Sequence, residues 1–200
     1  MLIRTAQTSA CKPAGARMLA VVVMAAMFAG CQSARVAGPL TANLAGNEPA
    51  TQLEFWHTLA TRPVTSNDEA FHGLLLYLDG QDPAGTYEQR VAALKARGLL
   101  PANFSEPADH AITRGTLAVA ICRMTGIRGG LMMHLTGGAP RYAVRELQFV
   151  GLYPPSSPHQ TFSGAEFVGI IGRVEDYQRQ QLAGSSPQRS RKAAATQPAA

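Results

Sequence analysis

The feature that most constrains this chain is a stretch that occurs three times. Ile112–Arg123 reads ITRGTLAVAICR, in which Thr113, an N-cap type residue, precedes the largely apolar helical run Leu117, Ala118, Ala120, Ile121 and Met124. Phe162–Arg173, FSGAEFVGIIGR, sets Ser163, Phe167, Val168, Ile171 and Arg173 opposite Thr113, Leu117, Ala118, Ile121 and Arg123. A weaker copy, SNDEAFHGLLLYL, starts at Ser66 and sets Leu74 opposite Ile121. Starts at 66, 113 and 163 are 47 and 50 residues apart, and such near-constant spacing is the mark of a repeat architecture.

Helix boundaries are written in capping chemistry. Thr51–Glu54, Ser66–Glu69 and Ser163–Glu166 are capping boxes, with Thr86–Gln89 as the glutamine variant. In each, hydroxyl and side-chain carbonyl satisfy backbone N–H groups that the first turn leaves unpaired. Pro140 suits the first turn of a further helix, and Pro63, Gly80, Gly98, Gly126, Gly151 and Pro154–Pro155 supply stops. Six helices follow, in three pairs: 51–61 with 66–78, 86–97 with 113–125, and 141–150 with 163–178. The first helices match as well, since Val91, Leu94, Gly98 and Leu99 lie over Val144, Leu147, Gly151 and Leu152. Gly129–Gly138, GGLMMHLTGG, alternates Leu131, Met133 and Leu135 and is expected as a short extended piece. The expected fold class is all-α, three helix-loop-helix units in one cooperative bundle with little or no strand. Leu74, Ile121 and Ile171 are expected to converge on its centre.

Charge separates the ends from the middle. The net +5 consists of +3 in residues 1–49, +3 in 184–200 and −1 in 50–183. A nucleic-acid binder carries its basic face on the folded domain, so that partner class is set aside. The N-terminus has targeting character: Arg4, Lys12 and Arg17 precede the uncharged run Met18–Ala29. Twelve residues cannot span a bilayer, which needs about 20, but they suit a secretory signal. Phe28-Ala29-Gly30-Cys31 resembles the bacterial lipobox, with Phe28 where Leu is preferred. The resemblance implies a signal peptide over 1–30, lipid (palmitate among its chains) on Cys31, and a membrane-anchored lipoprotein of the bacterial cell envelope. Gln32 after the cysteine implies the outer membrane, facing the periplasm. Cys11 leaves with the signal and Cys122 stays alone among apolar neighbours, so no disulfide framework is possible in the mature monomer. Residues 31–50 and 179–200 are small, polar and Pro/Gly-punctuated, and are expected as a flexible tether and a disordered basic tail.

The repeat resembles the S-layer homology domain, whose signature is an apolar residue, Thr, Arg and a small-Glu-apolar run opening the second helix of each unit. Ile112-Thr113-Arg114-Gly115-Thr116-Leu117 matches except that Thr116 stands for Glu. Phe162-Ser163-Gly164-Ala165-Glu166-Phe167 keeps Glu166 but has Gly164 in the Arg position, and Asn67 takes that position in the first unit. The likeness spans 51–178, with units of about 51–80, 86–128 and 139–178, and implies a pseudo-threefold bundle. It also implies cell-wall polysaccharide in grooves between units, with the motif arginine as a contact. Only Arg114 inherits that role, as an anion site beside free N–H groups at a helix start, or else as an ion-pair partner of Glu106 or Asp109 or a plainly exposed side chain. Trp56 and Tyr153 are the candidate aromatic sugar platforms, Tyr153 the more exposed candidate, and each has a core reading beside it. Loss of the other two arginines favours a non-catalytic protein with structural or protein-interaction roles. The alternative is a lipoprotein that binds cell-wall polysaccharide or peptidoglycan.

No catalytic group, cofactor or metal site is expected. The histidines at 57, 72, 110, 134 and 159 show no ligand spacing. Asp79 and Asp82 lack the calcium-loop pattern and read as a turn before Pro83. Ser163 is a helix cap and not a nucleophile elbow.

Overall fold

A computed structural model describes residues 34–194. Among them the chain is all-α, with isolated bridges and no strand. The helices are α1 (Thr41–Leu44), α2 (Pro49–Thr61), α3 (Asn67–Asp79), α4 (Tyr87–Ala96), α5 (Arg114–Thr125), α6 (Leu131–Leu135), α7 (Pro140–Phe149) and α8 (Gly164–Ala194).

Local chemistry accounts for most of their ends. Ser66 Oγ accepts the Glu69 N–H at 3.2 Å while Glu69 Oε2 accepts the Ser66 N–H at 2.8 Å. Ser163 and Glu166 do the same at 3.2 and 3.0 Å. Thr113 Oγ1 caps α5 by accepting the Thr116 N–H. Gly98 and Gly151 take φ +67° and +79°, and the leucine after each donates back to Leu94 or Leu147 at 2.9 and 2.8 Å. Only glycine takes that left-handed turn without strain, and the leucines it returns, Leu99 and Leu152, are buried.

The most extensive helix contacts are not between the helices adjacent in the repeat. The sequence pairs α2 with α3, α4 with α5 and α7 with α8. The principal packed pairs are instead α3 with α4, α5 with α7, and α2 with α8. Each first helix therefore lies on the capped helix of the preceding unit, and α2 closes the cycle on the last one. The backbone follows the same cycle. At α3, Asn67 and Asp68 N–H donate to the His110 and Ala108 carbonyls; at α5, Arg114 and Gly115 donate to Gln160 and Pro158; at α8, Gly164 donates to Arg62. Thus first-turn N–H groups that no helix can satisfy internally are taken up by the lead-in of the next unit. The residues just before the caps, Thr65, Ile112 and Phe162, are buried, and Thr65 N–H bonds Phe162 O while Ile112 N–H bonds Thr65 O, both at 3.0 Å. One contiguous core contains Leu74, Ile121 and Ile171.

Four expectations need correction. The helix placed at 51 starts at Pro49, whose fixed φ suits a first position, so Thr51–Glu54 lies inside it and caps nothing. Residues 34–48 are no free tether: Ala34–Val36 lies along Asp109–Ala111, Leu40 N–H donates to Glu69 Oε1 at 3.1 Å, and Thr41 Oγ1 bonds Asp68. The tail expected from 179 is helical through Ala194, with Arg179 paired to Glu175 and Asp176 across the expected boundary. Leu131–Leu135 is a helical turn and not an extended piece, held by the buried Met133.

Candidate functional site

Arg114 is the first residue of α5, and its surroundings are filled by the chain itself. Its Nη2 meets Glu166 Oε1 at 2.6 Å and its guanidinium lies over the Phe162 ring, 4.7 Å from the centroid. Only 6% of the residue is exposed. The expected anion site at this helix start is not available, because the N–H groups of Arg114, Gly115 and Thr116 already donate to Gln160, Pro158 and Thr113. Nor is the ion-pair partner Glu106 or Asp109; it is Glu166, presented by the next unit. The Ser163 N–H, and after it Arg114, hold the Glu166 carboxyl below the ordinary glutamate range against a partial burial effect. Arg114 Nε and Nη1 are buried without a hydrogen-bond partner among the described residues.

The two missing arginines have local explanations. A Cβ on Gly164 would stand 1.6 Å from the Leu59 carbonyl oxygen, so α2 crosses too close for any side chain. Glu69, the carboxylate such an arginine would meet, instead receives Arg62 Nη2 at 3.1 Å. Asn67 spends its amide on the Pro107 carbonyl at 2.9 Å.

Tyr153 is not the exposed aromatic that its prolines suggest. It is 4% exposed, edge-on to Phe162 at 5.8 Å, with its hydroxyl donating to the Arg114 carbonyl at 3.4 Å. Burial pushes its phenol well above the ordinary tyrosine value. The chain after the Gly151 cap is pulled inward because Leu152 and Tyr153 N–H both return to Leu147 O. Arg114 and Tyr153 thus meet on Phe162, whereas Trp56 belongs to another face. It stacks on Phe167 (6.4 Å, 14°), an approach allowed by Gly73, whose missing Cβ would lie 3.1 Å from both rings. Half-buried, Trp56 lines an open groove of about 640 Å³ with Gln52, Tyr77, Glu175 and Gln178. Tyr77 hydroxyl donates to Gln178 Oε1 at 2.5 Å there. An indole flank with amide and carboxylate groups can accept a polar ring-shaped ligand such as a sugar.

One polar centre escapes sequence reasoning. Arg90 is buried, with Nε to Asp82 Oδ2 at 2.5 Å and Nη1 to Asp68 Oδ1 at 2.6 Å; His72 Nδ1 meets the same Asp82 oxygen at 2.6 Å. Burial works to raise the Asp82 pKa and is overcome by hydrogen bonds from His72, Arg90 and the Ala84 N–H, so the carboxyl sits below its ordinary value. Asn47 closes the cluster by accepting the Asp82 N–H at 2.7 Å. These residues come from α3, α4 and two loops, so no spacing announces them. The cluster joins elements, and none of the three described grooves includes it.

Among the described residues no three His, Cys, Asp or Glu side chains gather as a metal site, and no helix is long and apolar enough to cross a membrane. Cys122 is buried, and burial raises its thiol to about 12, so it is not a reactive nucleophile. Cys31 and the signal segment lie outside the described residues. No protein-family profile, no curated protein and no solved structure matches the chain.

Proposed function

We propose that this is a non-catalytic protein of the bacterial cell envelope, anchored by lipid on Cys31, whose S-layer-homology-like domain is a structural or protein-interaction scaffold. The cyclic packing of first helices on preceding capped helices is what such a pseudo-threefold bundle requires. The observation that carries the scaffold reading is the Arg114–Glu166 pair. The one motif arginine spends its charge inside the protein, and the helix-start N–H groups beside it are occupied. An arginine so used holds units together, and its two unpartnered nitrogens are closed off from solvent. Purified cell-wall sacculi provide the test: the protein is expected to stay in the supernatant. Anchoring is tested separately by metabolic palmitate labelling, which Cys31→Ser is expected to abolish together with membrane fractionation; unchanged fractionation would refute it.

The Trp56 groove favours a second reading, a cell-wall polysaccharide or peptidoglycan binder that uses a different face from the motif arginine. Under it the protein sediments with sacculi, Trp56→Ala weakens sedimentation several-fold, and Arg114→Ala changes it only as far as it destabilises the fold.

A further inference from the structure

Four of the six large exposed apolar side chains among the described residues lie on α6 and the end of α7, which no function above uses. Leu131, Met132 and Leu135 on α6 are 74, 50 and 69% exposed, and Phe149 at the end of α7 is 87% exposed. Leu131, Met132, Tyr142, Arg145 and Phe149 line one open groove of about 710 Å³, and Leu135 follows one turn further along α6. Monomeric proteins rarely leave so many large apolar groups together without a use.

Two anchors fix their direction. Met133 is buried, and the Gly130 N–H donates to Glu146 Oε1 at 2.8 Å, so α6 is pinned on α7 with Leu131, Met132 and Leu135 turned out. Gly129 has φ +63°, and a Cβ there would sit 2.4 Å from Met133 Sδ, so the chain enters α6 through a turn that only glycine permits. On α7, Arg141, Arg145 and Phe149 are four residues apart and share a stripe. Arg128, Arg141 and Arg145 are exposed, and none has an ion-pair partner among the described residues. Glu146, which lines the same groove, accepts the Gly130 N–H.

We infer that this α6–α7 face docks on an anionic lipid bilayer, with Leu131, Met132, Leu135 and Phe149 entering the interface and Arg128, Arg141 and Arg145 meeting headgroup phosphates. Exposed apolar side chains beside unpaired arginines, with Arg145 in the groove lining, Arg141 one turn before it on α7 and Arg128 three residues before α6, are the composition of an interfacial segment. A second copy of the chain fits poorly, because a symmetric contact would oppose the same arginines. The groove is wide open and its lining residues Leu131 and Phe149 are 74 and 87% exposed, which suits entry into an interface better than a helix seated between walls. The proposal goes beyond the lipid-anchored reading and shares with it only the presence of a bilayer.

Trp56 is the only tryptophan, so the full-length chain carrying Trp56→Phe and Phe149→Trp reports from the patch alone. With vesicles of phosphatidylglycerol and phosphatidylcholine the indole emission is expected to shift to the blue. Acyl chains brominated near the headgroup should quench it several-fold more than in pure phosphatidylcholine, less so in high salt. Arg141→Glu with Arg145→Glu, or Leu131→Ser with Leu135→Ser, should remove most of the quenching while leaving the unfolding midpoint unchanged, since all four residues are exposed. An indole that stays unquenched while the chain floats with vesicles overturns the proposal and leaves the anchor standing. Absence of palmitate labelling with quenching retained does the reverse. A blue shift that follows protein concentration without lipid identifies a self-association face and likewise overturns the proposal.

Discussion

Two helix starts with the same local chemistry have opposite surroundings. Ser66–Glu69 at α3 and Ser163–Glu166 at α8 make the same reciprocal pair of hydrogen bonds. The Glu69 side chain is fully buried and also accepts the Leu40 N–H and Arg62, whereas the Glu166 side chain is 46% exposed and meets Arg114 from the neighbouring unit. A repeated motif is thus a fastener for the N-terminal lead and α2 in one place and an inter-unit clasp at the surface in the other. The difference lies in what the rest of the chain lays over each box, and the cost of breaking it should follow burial and not motif.

The comparison can be broken most severely at Glu69. Glu69→Ala leaves the Ser66 and Leu40 N–H groups without their acceptor and Arg62 without its carboxylate, and is expected to cost about 3–5 kcal/mol in chemical denaturation. A loss below about 1 kcal/mol would show that burial does not set the value of these boxes. Ile121→Ala asks whether the two starts belong to one cooperative body. Ile121 is fully buried, the truncation should cost about 2–5 kcal/mol, and calorimetry should show one transition lowered as a whole. Separate transitions would mean that each start reports only on its own neighbourhood.

Gly164→Ala sharpens the contrast from the α8 side. The added methyl meets the Leu59 carbonyl, so α2 must shift at about 1–3 kcal/mol, while Gly172→Ala on the same helix has open space and should be neutral or stabilising by up to about 1 kcal/mol. Equal effects would remove the close crossing as the reason for glycine at 164. The smallest loss belongs to Glu166→Ala, about 1–2 kcal/mol near neutral pH, because the carboxylate is solvent-screened but its removal leaves the buried Arg114 without its ion-pair partner. The Glu166 pKa is lowered in the folded protein, so its contribution is present above the unfolded value of about 4.3 and is lost as pH falls through the folded value. Urea midpoints of wild type and variant should therefore converge on acidification; a gap that persists in acid would mean that the glutamate acts through packing.

What the sequence determined by itself is the six longer helices and most of their starts, but not the start of α2, the end of α8 or the short α1 and α6. Ser66, Thr113 and Ser163 bond N–H groups three residues away, and Gly98 and Gly151 turn the chain within one residue, so these decisions are local and survive any arrangement. Arg114, Trp56 and Tyr153 could be named in advance, but not their neighbours: one is neutralised by Glu166, one flanks a groove, one is buried. Tertiary structure alone decided that α2 packs mainly on α8 and less on α3, because that choice depends on an interhelix approach of Gly164 and Leu59 across more than a hundred residues. It likewise decided that residues 34–48 are pinned and that Asp68, His72, Asp82 and Arg90 share one buried cluster. A small polar segment and scattered charges carry no periodicity; their order comes from long-range partners that satisfy buried donors and charges only once the core has formed.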